Sequence, residues 1–498
     1  MWHGLDRAGQ EEAALQWPLL AAQAASCALA AGRPRTALEL LEQGRALMWS
    51  QVLQTRGGFS ALHRDAPELA ARLDACRAEL DTAADTTGLL ARELLGVSLP
   101  GPAGRGEEVE RRMNAARRWA DTLAEVRRLP GHEGFLRPLP YDGLRPAGDR
   151  GPVCVVNVST IRSDAIVIDR GELRVVPLPA LTVDSLAART DAFVGAIGGP
   201  DAAAALSAVL EWLWDDLAEP VLSALGIDGS QSPPPRVWWC PTGPLTLLPV
   251  HAAGYHGARR RPEHGSAPAV AERAVSSYTP TLAALLRSRR APDRTARPVR
   301  LLAVGLAAAP PYMAGRSPLP HVPEEIEAVA GRFAGRSTVR TEEGATRDAV
   351  LELLPRHAWA HLACHGRQDP ERPALGGLFL YDAPLRIGDI GALDHDGAEL
   401  AYLSACDTAV GGAYLSDEAV HTAAAFHHAG YRHVVATLWS LRDGTAAEVA
   451  DRFYQGLTRE GGPDAGRSAT ALHDAVRELA ERHPDDPLRW ATFLHIGP

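Results

Sequence analysis

The apolar positions change period along the chain, and those changes divide it. From Ala13 to Ala31 an Ala/Leu-rich run reads as a helix, Gly32-Arg33-Pro34 breaks it, and Leu38, Leu41, Met48 and Val52 share one face of a second helix. Residues 1–56 are therefore expected to form a helical hairpin. Over residues 57–130 the helical period returns. Leu69, Leu73, Cys76 and Leu80 form one stripe, while Val109, Met113, Ala116, Ala120 and Leu123 alternate by four and three along another. The Gly/Pro-rich stretch from Pro100 to Gly106 serves as their connection, and long antiparallel helices in a plain bundle account for the spacing better than an oligomeric coiled coil. Residues 131–152, rich in proline and glycine, read as a linker.

At Val153 the period becomes extended. Val153 to Ser159, Ala165 to Ile168 and Leu173 to Pro177, separated by Ser-Asp and Arg-Gly turns, predict an antiparallel meander. Helices follow at Val183 to Ile197 and Ala203 to Leu225, then a strand from Arg236 to Cys240 that stops on Pro241. Residues 299–498 alternate strand and helix: strand from Val299 to Val304, helix from Pro323 to Phe333, strand from Ser337 to Thr341, and a helix from Thr346 to Leu354 capped by Thr346. Two short apolar runs come next, one ending on His365-Gly366 and one, from Glu399, ending on Ala405-Cys406. Beyond them the pattern gives helix Asp417 to Ala429, strand Arg432 to Thr437, helices Gly444 to Leu457 and Ser468 to Arg482, and a last strand from Trp490 to Ile496. Alternation of this kind demands parallel strands joined by right-handed crossovers. The expected fold is thus an α/β sheet, mostly parallel, with helices on both faces, preceded by an all-α region.

Composition narrows the function. A hydrophobic share of 46% with 22% charged residues is ordinary for a globular chain and excludes wholesale disorder. A net charge of −10 offers phosphate backbones no general attraction, so direct nucleic-acid binding is not expected, and the arginines around 259–261 and 287–300 read as solvated loops. All 51 basic residues are arginine, which excludes a catalytic lysine or Schiff base and looks like the codon bias of a GC-rich bacterial genome. The six cysteines form no C-x-x-C pair, and Cys76, Cys154 and Cys240 lie in apolar runs as core thiols. The chain shows no secretory signal and no apolar run of membrane-spanning length, so a reduced, cytoplasmic setting is expected. His421, His427, His428 and His433 match no zinc spacing and read as one side of an amphipathic surface helix. No phosphate-binding glycine motif is present, and neither metal nor cofactor is expected.

The chemistry gathers at the two motif strands. Reactive groups in open parallel sheets lie just past the carboxyl ends of strands, where both His365 and Cys406 fall. An imidazole that takes a thiol proton, a cysteine that attacks once ionised and a glycine with a free N–H together make an acyl-transfer site. Cys364 faces the other way on the same strand, since successive side chains alternate, and is expected to be a core thiol.

His365-Gly366 followed by Ala405-Cys406 resembles the caspase-like (clan CD) cysteine peptidases. The phrases HLACHG, LSACDTAVGG and AAAFHHAGYRHVVATLWSLRD are similar to the CHAT domain, a caspase-like peptidase often preceded by tetratricopeptide repeats. The hairpin pattern around Gly32-Arg33-Pro34 is itself similar to a tetratricopeptide hairpin. The resemblance implies residues 153–298 as a degenerate half without a nucleophile, residues 299–498 as the active half, and the N–H groups of Gly366 and Cys406 as the oxyanion hole. This chain has Asp407 where the family usually carries glutamate, and Ser416-Asp417-Glu418 where a Gly-Glu-Gly-like phrase is common. Asp407, Asp417, Glu418 and Asp443 are the candidate pocket acids, which would favour a basic residue before the cut; if they cap helices or pair with arginines instead, the pocket is apolar. The expected function is a regulated cysteine endopeptidase cutting a protein partner in a bacterial defence or signalling pathway, with the N-terminal helices engaging a regulator. Two alternatives stay open: a non-catalytic interaction scaffold on the same fold, and a thiol hydrolase or acyltransferase for small molecules.

Overall fold

The computed structural model describes residues 19–45, 59–82, 102–261, 268–290, 299–313, 316–333, 335–367, 376–393, 395, 397–404, 422–441, 443–458 and 462–498. Cys406, Asp407, Asp417 and Glu418 lie outside these residues, as do Met48, Val52 and the start of the first helix. The described residues fall into two compact units, one between residues 59 and 139, the other comprising 19–45 and 140–498.

The smaller unit consists of helices Phe59–Asp65, Pro67–Thr82 and Pro102–Val126. Leu62, Leu73, Cys76, Trp119, Leu123, Val126 and Phe135 form its core. The buried stripe of the long helix is Ala115, Trp119, Leu123 and Val126; Met113, expected inside, is 49% exposed. The indole of Trp119 decides this register, because burying so large an apolar surface outweighs burying a methionine two positions around the helix.

The larger unit is built on one sheet of eleven strands: β1 (Val153–Asn157), β2 (Asp164–Asp169), β3 (Glu172–Pro177), β4 (Arg236–Pro241), β5 (Val275–Tyr278), β6 (Leu301–Gly305), β7 (Ser337–Thr341), β8 (Trp359–Ala363), β12 (Leu400–Ser404), β13 (His433–Thr437) and β14 (Phe493–Ile496). A separate small sheet holds β9 (Gly366–Arg367), β10 (Gly377–Phe379) and β11 (Pro384–Arg386). The large sheet runs β3-β2-β1-β4-β5-β14-β13-β12-β8-β6-β7. The predicted meander β1–β3 is antiparallel, and β12, β8, β6 and β7 are parallel neighbours as the strand–helix alternation requires. Strand β5 and the small sheet were not legible in the pattern: each strand is four residues or fewer, too short to show a period.

β14 joins the halves of the sheet, parallel to β5 and antiparallel to β13. A buried chain of polar groups crosses that junction. His433 Nδ1 meets His495 Nε2 at 3.0 Å, His495 Nδ1 meets Ser277 Oγ at 2.8 Å, and Arg236 donates to the same hydroxyl at 2.6 Å. The helix Thr422–Ala429 carries His427 and His428 and is buried at every position, which corrects the expected surface helix. Ala423, Ala424, Ala425, Phe426 and Ala429 make most of its surface apolar, and His427 is accommodated inside by donating Nδ1–H to the Tyr431 carbonyl at 3.0 Å.

Helices Leu20–Ala30 and Pro34–Gly44 lie against the first half of this sheet, where Ala25, Leu29, Leu38 and Leu41 pack with Tyr141, Val155, Ile166 and Trp238. Polar contacts fasten them. Arg45, buried, donates to the carbonyls of Cys240 and Pro241 at 3.2 and 2.7 Å. Glu42 accepts the N–H groups of Leu282 and Ala283 at 3.0 and 2.8 Å, and Thr281 accepts that of Ala284, so together they cap helix Leu282–Ser288. Removing a side-chain cap typically costs about 1 kcal/mol. Glu42→Ala is accordingly expected to lower unfolding stability by about 1–2 kcal/mol, read as a shifted urea midpoint with unchanged slope.

Candidate active site

Strands β8 and β12 position the site. Their register pairs Trp359 with Leu400, His361 with Tyr402 and Ala363 with Ser404. His365 stands two residues beyond Ala363, and Cys406 two beyond Ser404. His365 thus follows a strand end, and the sequence sets Cys406 at the same offset past the adjacent parallel strand β12.

His365 is nearly buried, at 7% exposure. Its Nε2 lies 3.0 Å from the carbonyl oxygen of Ser317, and since a carbonyl can only accept, the ring proton sits on Nε2. In the neutral ring Nδ1 is then the proton acceptor, which is the form a general base needs. The loop that brings Ser317 begins where β6 ends: Leu306 N–H extends the pairing to Ala363 C=O at 2.9 Å, and Leu319 N–H closes the loop on Ala307 C=O at 2.8 Å. Sequence reasoning missed Ser317, because it acts through a backbone group that every residue has. The prolines at 310, 311, 318 and 320 were the available signal of a stiff loop after a strand.

Gly366 opens β9 and pairs with Leu378 on β10. The N–H of Phe379 donates to the His365 carbonyl at 2.8 Å, so Gly366 and Leu378 form the non-hydrogen-bonded pair of this ladder. The Gly366 N–H therefore points away from β10. Phe379 and Tyr312, with ring centroids 6.4 Å apart, stand beside this hairpin, and Tyr312 donates to the Leu380 carbonyl at 2.8 Å. Burial, with Cys364 nearby, pushes the Tyr312 phenol well above its ordinary range. Cys364 itself is 1% exposed, the position expected of a core thiol.

Beneath the strand ends lies a group that sequence reasoning did not single out. His361 of β8 and Glu325 of helix Val322–Gly331 stand 3.0 Å apart, both fully buried, and His361 stacks on Tyr402 with centroids at 5.1 Å. The pair sets the helix against β8, the strand that leads to His365. Of the expected pocket acids, Asp443 is the first residue of helix Asp443–Leu457.

The CHAT domain profile matches residues 207–498, more than half of the chain. The chain belongs to the CHAT-domain family, and its mostly parallel sheet flanked by helices is the fold that the caspase-like resemblance implies. None of the curated proteins matches it in sequence. Among solved structures it is similar to the complex of Porphyromonas gingivalis RgpB pro- and mature domains, with 10% identity and a TM-score of 0.40, covering 59% of this chain and 75% of that one. It is also similar to the separase–securin complex of Saccharomyces cerevisiae, with 10% identity and a TM-score of 0.36, covering 87% of this chain but only 27% of that one.

Proposed function

We propose that this chain is a cysteine endopeptidase that cleaves a protein partner with a His365–Cys406 dyad, within a bacterial defence or signalling pathway. The observation that carries this reading is the Ser317 contact, which supports His365 as a base with its acceptor nitrogen at Nδ1, on a strand whose neighbour leads to Cys406. In the reaction, Nδ1 takes the thiol proton as Sγ attacks the scissile carbonyl carbon. The oxyanion is met by the N–H groups of Gly366 and Cys406, each such donor contributing on the order of 3 kcal/mol to the barrier. Collapse of the tetrahedral intermediate breaks the C–N bond, and the imidazolium returns the proton to the leaving amine. Water, deprotonated by the same ring, then hydrolyses the thioester. The helical region before the sheet is the surface through which a regulator would act, and the reaction needs neither cofactor nor metal.

Incubating the protein with a peptide library tests the reading: new peptide ends should appear, and be missing when Cys406→Ala protein is used. The acids Asp407, Asp417, Glu418 and Asp443 motivate a further expectation, arginine or lysine on the acyl side of the cut. A carboxylate pairing with a guanidinium through two hydrogen bonds discriminates by about 3 kcal/mol or more, because losing one partner strands the other charge. An apolar pocket separates side chains by only about 1–3 kcal/mol per methylene. A narrow basic preference that collapses on Asp407→Asn or Asp417→Asn supports the acidic pocket, whereas a broad apolar preference indifferent to these changes rejects it.

A further inference from the structure

Glu342 holds a backbone shape that side chains rarely adopt. It follows β7, and its φ of 44° lies in the left-handed region, where a residue with a long side chain is strained. Such strain persists only where the surroundings impose it, and it collects at functional sites. Here the conformation presents Oε1 to the backbone N–H of Ala307 at 2.8 Å, while the Glu342 carbonyl accepts from Ala345 N–H at 2.9 Å. Ala307 is the neck of the Ser317 loop. Its carbonyl closes the loop by accepting from Leu319 N–H, and its N–H anchors that closure to Glu342, outside the loop. The loop then delivers the Ser317 carbonyl to His365 Nε2.

We propose that Glu342 is a positioning residue for the site: by holding Ala307 it fixes the Ser317 carbonyl, and through it the proton of His365 on Nε2. The proposal rests on the reading of His365 as the base. Without the carboxylate the neck of the loop loses one of its two bonds, Ser317 is no longer held against Nε2, and the ring is free to place its proton on Nδ1. In that tautomer the nitrogen meant to accept the thiol proton is already occupied. Glu342 touches neither substrate nor thiol, and its effect passes wholly through the loop.

The test is the pH dependence of Cys406 alkylation by iodoacetamide, followed at the Cys406 peptide by mass spectrometry, on the full chain. Wild-type protein should react at lower pH than His365→Ala, whose thiol ionises near the ordinary value of about 8.5. Glu342→Gly suits the left-handed backbone and removes the carboxylate, so its melting temperature should hold or rise. Its alkylation profile should nevertheless move toward that of His365→Ala, with a rate at neutral pH lower by about tenfold. Glu342→Gln, whose amide oxygen still accepts from Ala307, should keep the wild-type profile. A wild-type profile in Glu342→Gly overturns the proposal, and so does loss of cooperative unfolding in that variant, which would make the residue structural. If Glu342→Gln behaves as Glu342→Gly, the hydrogen bond is not the agent and the proposal also fails. Coincident wild-type and His365→Ala profiles reject the base assignment itself, and this proposal with it.

Discussion

Peptide cleavage is expected to fall by about a thousandfold or more in Cys406→Ala and in His365→Ala, and to survive in Cys364→Ala. Cys364 and His365 are neighbours in the chain yet differ in what is expected of them. On the proposed reading Cys406 supplies the bonding electrons, so its removal would leave only the uncatalysed reaction in a bound complex. His365 is the proposed proton acceptor, its Nε2 held at 3.0 Å by the Ser317 carbonyl. Because nucleophile and base act as one unit, the double variant should be little worse than either single one. Cys364 adjoins His365 in the chain but is buried at 1% exposure, and trimming it should cost about 1 kcal/mol of stability while sparing turnover. Initial rates on a cleaved peptide, with melting curves for each variant, check all of this. Full activity in purified Cys406→Ala protein would falsify the dyad.

Acid should unfold the larger unit well before its carboxylates are all protonated. Burial holds His251 down at about 3 and His427 and His473 at about 4, and holds His433 and His495 well below the ordinary value of 6.5. Neighbouring cations add to burial, Arg287 at His427 and Arg236 at both His433 and His495. A histidine whose folded pKa is depressed binds fewer protons folded than unfolded, so stability rises with pH through this range. The contribution is complete above the unfolded value near 6.5 and is lost as pH falls below it toward the folded value. Each histidine that stays neutral forfeits up to about 1.4 kcal/mol per pH unit, so five together lose on the order of 5 kcal/mol between neutral pH and pH 5.5. That is a large part of the 5–15 kcal/mol that typically separates folded from unfolded protein. Glu42 and Asp216 oppose the trend, since burial raises both carboxyls, but they are two groups against five histidines. Urea titrations at pH 7.5 and 5.5 should show a markedly lower midpoint in acid, and an unchanged midpoint would refute the account. His433→Gln and His495→Gln should each flatten the pH dependence, because an amide in the buried chain takes up no proton.

The strand order around the candidate site was legible because β8 and β12 are buried on both faces, and burial of that kind writes uninterrupted apolar runs into a sequence. The alternation of strands and helices after Val299 fixed parallel neighbours, and the offset of two residues past the first run put His365 just beyond the end of β8. Side-chain alternation likewise set Cys364 inside. These features are local, set by period and by the chemistry of a single residue.

What tertiary structure alone decided are matters of partnership. The seat of Leu20–Ala30 and Pro34–Gly44 on the sheet depends on Glu42 and Arg45 meeting backbone groups some 200 positions away, which no period encodes. The helix at Thr422–Ala429 is buried because other elements enclose it, although its histidines suggested a wet face. Met113 lies outside because Trp119 buries more apolar surface. Ser317 reaches His365 with a backbone carbonyl, and Glu342 reaches Ala307 through a backbone N–H. Backbone groups are the same at every position, so a sequence shows which side chains are available for chemistry but not which peptide group will hold them. That is settled only when the folded chain brings the two together.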